Sequence, residues 1–240
     1  MATMSATLLK TMLLNVISDM DPPRLTGRPR VCMSQCVDDL LHMCKNSISW
    51  NSFRASCGSP KTVFKWFRRW VDLGVMEELW CRVKRLYSRI RTSRAHIADT
   101  SYVKSILGID CIGPNPTDRG RNATKISAIT DDKGVPICLA LFPGNASDQR
   151  VIPQTVGDYH PEYPLDFYAD KGYDSARNRE FVQSRGYTSC IYHKKQRPEK
   201  RSNKIRIEVE HAFSWLKQYR RLTLRYEKRV INYRGFLMIA

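Results

Sequence analysis

The spacing of apolar residues changes character near residue 95. Upstream they recur at helical intervals. "MSQCVDDLLHMCKN" (33–46) shows this, and "GSPKTVFKWFRRWVDLGV" (58–75) shows it more strongly. At about 100° per residue, Val63, Trp66, Phe67, Trp70 and Val71 share one side of a helix, and Thr62, Lys65, Arg68 and Arg69 share the other. Gly58 and Pro60 open that helix and Gly74 closes it. A short helix, a Gly/Pro turn and a basic amphipathic helix are the parts of a helix-turn-helix, with 61–71 in the groove-reading place. A core helix with a solvated basic face has the same pattern, so both readings stand. Residues 76–94 continue as a basic helix, and "DPPRLTGRPR" (21–30) reads as a linker or extended arm.

Downstream the pattern turns to short β-branched runs. "AHIADTSYV" reads as a strand around Asp99; "ATKISAITD" and "VPICLALF" flank Asp132-Lys133-Gly134 as a hairpin. "SDQRVIPQTVGDY" predicts a helix capped by Ser147, "PLDFYAD" a strand ending at Asp170, and "SARNREFVQSRGY" a helix stopped by Gly186. "TSCIY" is a last strand, and a closing helix starts near residue 203. Three strands with hairpin-like connections, then strand–helix–strand–helix, describe an α/β domain with a mixed sheet flanked by helices. The expected organisation is a small all-α region over 1–90 and an α/β domain over 91–240. Asp99 on the first strand and Asp170 at the end of the fourth sit where open α/β sheets collect functional groups.

Charge adds a partner to this picture. The net charge is +17, and it is clustered: residues 61–94 carry 10 Lys/Arg against 3 Asp/Glu, and residues 191–240 carry 14 against 4, which together supply the whole excess. Two basic surfaces suggest a polyanion, foremost nucleic acid. Eight cysteines lack a paired CxxC pattern and read as free thiols rather than a zinc site or disulfides. No apolar run reaches the roughly 18 residues of a membrane span, and "LLKTMLLNVI" lacks a basic leader, so neither a membrane partner nor a signal peptide is expected.

The closing helix contains "EVEHAFSWLKQYRRL" (208–222), and its charges are arranged unusually. Arg206, Glu210 and Lys217 fall within about 40° of one another, with Asn203 nearby, bordering the apolar stripe of Ile205, Val209, Ala212, Leu216 and Tyr219. Taken alone, this is an ion-pair row worth a few tenths of a kcal/mol. Placed at a sheet edge beside Asp99 and Asp170, it would assemble three mutually repelling carboxylates, a set that suits Mg2+ and metal-assisted displacement at phosphorus, with Arg206 and Lys217 holding phosphates.

"ADKGYDSARNREFV" followed by "RIEVEHAFSWLKQYRRLTLRYEK" resembles the catalytic core of DDE transposases of bacterial insertion sequences, which share a ribonuclease-H-like fold. The C-terminal signature of the matching branch is Tyr, two residues, Arg, three residues, Glu, six residues, Lys. Arg206, Glu210 and Lys217 occupy its last three places, and Asn203 stands where the signature has Tyr. "IADTSYVK" resembles the first-aspartate strand and "YADKGYDS" the second-aspartate strand; "TVFKWFRRWVDLGVMEELW" is similar to the branch's N-terminal helical region, so the resemblance covers roughly residues 25–240. It implies Asp99, Asp170 and Glu210 as catalytic, metal-binding acids with two Mg2+ (or Mn2+). It also implies that Arg206 and Lys217 grip end DNA, and that the helix bearing Lys65, Arg68 and Arg69 recognises a terminal inverted repeat. The implied reaction is hydrolysis at the transposon end and transfer of the freed 3′-hydroxyl to target DNA, within a homodimer or larger assembly, inside a cell in the company of its DNA (nucleoid or nucleus). A domesticated, non-cutting DNA-binding derivative and a structure-directed nuclease are the alternatives.

The remaining acids have plainer readings. Asp110, Asp118, Asp131 and Asp132 read as turn and surface residues, with Asp131 held in reserve. Asp148 reads as a helix N-terminal acid favoured by the dipole, with support of the proposed acids as its alternative. His96 and His211 read as structural hydrogen-bonding residues, and Trp215 as a packing or DNA-stacking residue.

Overall fold

The computed structural model describes residues 6–23, 26–27, 29–193 and 200–240, without the side chains of 200–205. The chain divides into two compact units, Met1–Ile90 with Gln218–Ala240, and Arg91–Lys217. Residues 218–240, expected with the α/β domain, pack instead with the helical region.

The first unit is all-helical apart from its connections: α1 (Ala6–Met20), α2 (Met33–Asn46), α3 (Pro60–Asp72), α4 (Val75–Ile90), and near the end of the chain α8 (Arg220–Thr223) and α9 (Val230–Ile239). Local chemistry sets α3. The hydroxyl of Ser59 accepts from the N–H of Thr62 at 3.2 Å, and Pro60 spends its missing donor in the first turn, where none is needed. Val63, Phe67, Trp70 and Val71 bury the expected stripe, while Trp66 stays half-exposed with the Arg30 guanidinium 5.0 Å from its ring. The connection from α2 to α3 takes residues 47–59, far longer than the roughly 3–4-residue turn of a helix-turn-helix. The tight turn lies instead between α3 and α4, at Leu73–Gly74, where Gly74 adopts φ +76°. The sequence pattern showed two helices and a breaker but not how far apart the breaker holds them. Helix α9 closes this core: Phe236 stacks on Phe67 with centroids 4.5 Å apart, and Gly235 lies so near α3 that a Cβ there would stand 2.7 Å from Val71 Cγ2.

The 21–30 stretch is tied down at both ends. Asp21, 3% exposed, accepts from Arg30 (2.9 Å) and takes a two-point contact from Arg69 (Nε 2.8 Å, Nη2 2.9 Å).

The second unit builds the sheet. Strands β1 (Ala95–Ser105), β3 (Asn122–Asp131) and β4 (Pro136–Pro143) are antiparallel, with short β2 (Gly113–Pro114) pairing the start of β3; β5 (Leu165–Ala169) runs parallel to β1, and β6 (Tyr187–Ile191) parallel to β5. The order β4-β3-β1-β5-β6 is the ribonuclease-H-like mixed sheet implied by the resemblance. The hairpin turns at Gly134 (φ +77°), and the Asp131 carboxylate takes the N–H groups of Lys133 and Val135, which is its turn role. Helices α5 (Asp148–Val156) and α6 (Ala176–Ser184) bury Val151, Ile152, Val156 and Val182 in one core with Ile129 and Phe167. Ser147 occupies the cap position of α5 without a side-chain cap bond, whereas Ser175 caps α6 by accepting from Asn178 N–H. Helix α7 (Lys200–Gln218) follows.

The Asp21 cluster yields a stability prediction. Its two guanidinium partners hold the Asp21 carboxyl below the usual range, Arg69 most strongly, so the stabilisation is present above the unfolded-state pKa of about 3.9 and is lost as pH falls through the folded value. Asp21→Asn should lower the urea midpoint at pH 7 by the equivalent of about 1.5–3 kcal/mol, and the gap from wild type should shrink below about pH 4. An equal gap at pH 7 and pH 3 would mean that charge is not the source.

Candidate active site

Strand β1 and strand β5 are parallel neighbours, with Ala98 paired to Ala169. The next residues on each are Asp99 and Asp170, so equal offsets from one register pair put both acids on the same face, at adjacent strands about 4.8 Å apart. Backbone donors hold each carboxylate: Asp99 Oδ1 accepts from Thr100 N–H at 2.8 Å, and Asp170 Oδ1 from Lys171 N–H at 2.7 Å. Asp170 thereby caps the single 3-10 turn Lys171–Tyr173.

Helix α7 brings the rest. Val209, Ala212 and Phe213 are buried, Phe213 being a stripe member the wheel reading omitted. Arg206 borders them half-buried, while Glu210 and Lys217 are exposed. Arg206 Nη1 donates to Asp170 Oδ1 at 3.3 Å, and its Nε is buried with no hydrogen-bond partner among the described residues. The third acid is close enough to be felt electrostatically. Burial pushes the Asp99 carboxyl up to about 6; Thr100 N–H and Arg206 oppose the shift, and the negative charges of Asp170 and Glu210 add to it. Asp99, Asp170 and Arg206 are thus neighbours, and Glu210 is near enough for its charge to reach Asp99. Lys217 lies on the same helix two turns further on, and no contact to the acids is seen. The side chain of Asn203 lies outside the described residues.

In donor type the set suits a hard divalent cation, since it offers carboxylate oxygens only. In spacing, no three His, Cys, Asp or Glu side chains among the described residues stand close enough to hold an ion, and Arg206 covers one oxygen of Asp170. The acids would have to draw together to hold one.

On α3, the three expected DNA contacts differ. Lys65 is exposed. Arg68 is half-buried and lies 3.7 Å from Asp72. Arg69 is bound by Asp21 at two points. Its helical position matched the basic face, but a partner 48 residues away engages its guanidinium. His96 is buried against the Tyr187 hydroxyl at 2.9 Å, and burial drops its pKa to about 4, leaving it neutral. His211 is exposed, 3.6 Å from Glu208, and Trp215 is 38% exposed. Among the described residues no disulfide joins any of the eight cysteines.

Sequence reasoning missed Lys125, which is 2% exposed and donates to Asp148 Oδ1 at 2.8 Å. It also passed over Tyr173, 2% exposed, whose phenol is pushed far up by burial and by the nearby charge of Asp99. A lysine between Thr124 and Ile126 reads as the solvent side of an alternating strand; nine consecutive buried residues on β3 reverse that.

The family described as "Transposase DDE domain" matches residues 112–240, a span that includes Asp170 and Glu210 and begins after Asp99. "Putative transposase of IS4/5 family" matches residues 11–80. A curated relative, "Putative transposase for insertion sequence element IS402" from Burkholderia cepacia, is 35% identical over 137 residues, covering 53% of this chain; the match spans 65% of that protein's length. Among solved structures, the catalytic domain of Mos1 mariner transposase is 14% identical with a TM-score of 0.29, over 68% of this chain and 84% of that one. The Mos1 paired-end complex with left transposon end is 14% identical, TM-score 0.29, over 95% and 67%.

The site predicts opposite titration shifts. In metal-free protein, the Asp99 carboxyl followed by NMR should titrate near 6. Arg206→Gln removes a favourable positive charge and should move the midpoint up; Glu210→Gln removes a repelling negative charge and should move it down. Identical midpoints in all three proteins would place Arg206 and Glu210 away from Asp99.

Proposed function

The chain belongs to the transposase DDE domain family, and from that premise we propose that it cuts DNA at the ends of an insertion sequence and joins the freed end to target DNA. The observation that carries this reading is the side-by-side placement of Asp99 and Asp170 by parallel β1 and β5, with Arg206 of α7 against Asp170 and the charge of Glu210 felt at Asp99. A protein that only binds DNA has no use for three converging carboxylates among its cations.

Asp99, Asp170 and Glu210 would hold the divalent ions, two Mg2+ or Mn2+. Bound there, the metal supplies activation of the attacking oxygen and charge relief for the leaving one. The chain's own contribution is orientation. Thr100 and Lys171 N–H groups aim the two aspartates. Arg206 offsets their repulsion and brings a buried, unsatisfied Nε toward the place where a phosphate would complete its hydrogen bonds. Lys217 extends the same helical row, so a DNA strand following α7 would meet it after the acids. Lys65 and Arg68 on α3 are offered to the terminal repeat, with Arg69 contributing through the Asp21 contact rather than as an unengaged cation. Water attacks the phosphodiester at the element boundary, and the liberated 3′-hydroxyl then attacks target DNA. Handling two ends at once calls for a dimer or larger assembly. Among the described residues no helix is long and apolar enough to cross a membrane.

The test is cleavage of end-labelled DNA carrying the sequences that flank the gene. Wild type with Mg2+ should nick at the boundary. Glu210→Gln, or added chelator, should reduce the rate at least 100-fold, roughly the scale on which loss of an essential charge-stabilising group acts. Affinity for the ends should stay within about threefold. Binding without nicking would favour a DNA-binding derivative, and nicking indifferent to the flanking ends would favour a structure-directed nuclease.

A further inference from the structure

Strand β3 is buried along nearly its whole length, and Lys125 is caught inside it. Its ammonium donates to Asp148 Oδ1 at 2.8 Å and to the Ala146 carbonyl, and it lies 5.1 Å from the centre of the Tyr102 ring. Withdrawing an ammonium from water costs several kcal/mol, and an apolar pair of similar volume commonly serves stability as well or better. Packing alone therefore does not account for a lysine here.

The surroundings of Asp148 suggest what does. Asp148 is the first residue of α5, and it lies beside the β1 residue that follows Asp99 and beside the turn that follows Asp170. On one side Thr100 Oγ1 lies 3.4 Å from Asp148 Oδ1, and Thr100 is the residue whose N–H holds Asp99. On the other side Gly172, in the turn capped by Asp170, sits so that a Cβ would be 3.6 Å from Asp148 Oδ2. The next residue, Gln149, donates to the Asp174 carbonyl at 3.1 Å, just past the same turn. The phenol of Tyr173, within that turn, is buried and within electrostatic reach of Asp99, Asp148 and Asp170. An open cleft of about 390 Å³ runs alongside, lined by Tyr102, Lys125, Asn145, Asp148, Gln149 and Gly172.

We propose that Lys125 and Asp148 are a positioning pair for the proposed active site. Lys125 fixes the Asp148 carboxylate, and Asp148 with Gln149 holds the turn after Asp170 against Thr100 of β1. Together they set where Asp99 and Asp170 stand relative to each other. Neither residue touches the reacting phosphate in this role. The catalytic consequence rests on the proposed function; the mechanical consequence does not.

Three full-length variants test it: Asp148→Asn, Lys125→Met, and the double variant Lys125→Met/Asp148→Leu. Two readouts are taken. The first is amide hydrogen exchange of peptides covering 99–105 and 170–175, without DNA or metal. The second is cleavage of the flanking-end DNA with Mg2+. The double variant leaves no unpaired buried charge, so it should melt within a few degrees of wild type even if Lys125→Met alone fails to fold. It should nevertheless exchange about tenfold faster at 171–174 and cleave about 10–100-fold more slowly, with end binding unchanged, as expected when reacting groups are misplaced by about an ångström. A double variant with wild-type exchange and wild-type cleavage would reduce the pair to packing and overturn the inference. Should wild type itself show no Glu210-dependent cleavage, the transposase reading falls, while the exchange data still decide whether Asp148 holds the turn.

Discussion

The parallel pairing of β1 with β5 is the constraint on which the site depends. Because Ala98 faces Ala169 across the ladder, the two strands deliver Asp99 and Asp170 side by side, and two negative charges are forced into neighbouring places. The surrounding structure offsets that repulsion. Backbone donors of Thr100 and Lys171 take one oxygen of each carboxylate, and Arg206 arrives from α7 to lie against Asp170. Burial, with a smaller contribution from Asp170 and Glu210, still pushes the Asp99 carboxyl up to about 6.

A chain with a net charge of +17 might be expected to spread its cations over the surface. Several are instead engaged by carboxylates. In the helical unit, Arg30 and Arg69 converge on Asp21. Arg221, 2% exposed in its side chain, pairs with Glu227 and with the Ile48 carbonyl, its guanidinium 5.2 Å from the Phe236 ring. In the α/β unit Lys125 is taken by Asp148. The buried members, Arg221 and Lys125, follow one rule: such a cation is tolerated where a carboxylate and a carbonyl or aromatic face replace the water it lost. Fewer cations are therefore unengaged than the charge count suggests: Lys65 and Lys217 are exposed, whereas Arg69 is held by Asp21.

Much of this architecture was legible in the residue pattern because it depends on near neighbours. Ser59-Pro60 and Ser175 start helices by local hydrogen bonding, and Gly134 turns a hairpin by adopting a backbone angle other residues resist. Period alone separates the helical region from the strands. The Arg206–Glu210–Lys217 spacing is likewise a property of one helix, and it suggested an edge-facing row without any knowledge of what the row would meet. Short β2, the final helix α9 and the length of the α2–α3 connection escaped the pattern, since each is stabilised by contacts with residues far away in the chain.

Sequence by itself determined the element types, the strand–hairpin order and the residue kinds available for chemistry, all of which follow from backbone geometry repeating over a few residues. Tertiary structure alone decided which charges meet. Asp21 finds Arg69 across 48 positions, Asp170 finds Arg206 across 36, and Lys125 finds Asp148 across 23. Electrostatic partnership depends on distance in space and on the loss of water, and neither quantity is written in the spacing of a linear pattern. The same limit explains Lys125, which reads as a solvent-facing strand residue until α5 covers it and a carboxylate replaces the water that strand would otherwise have kept.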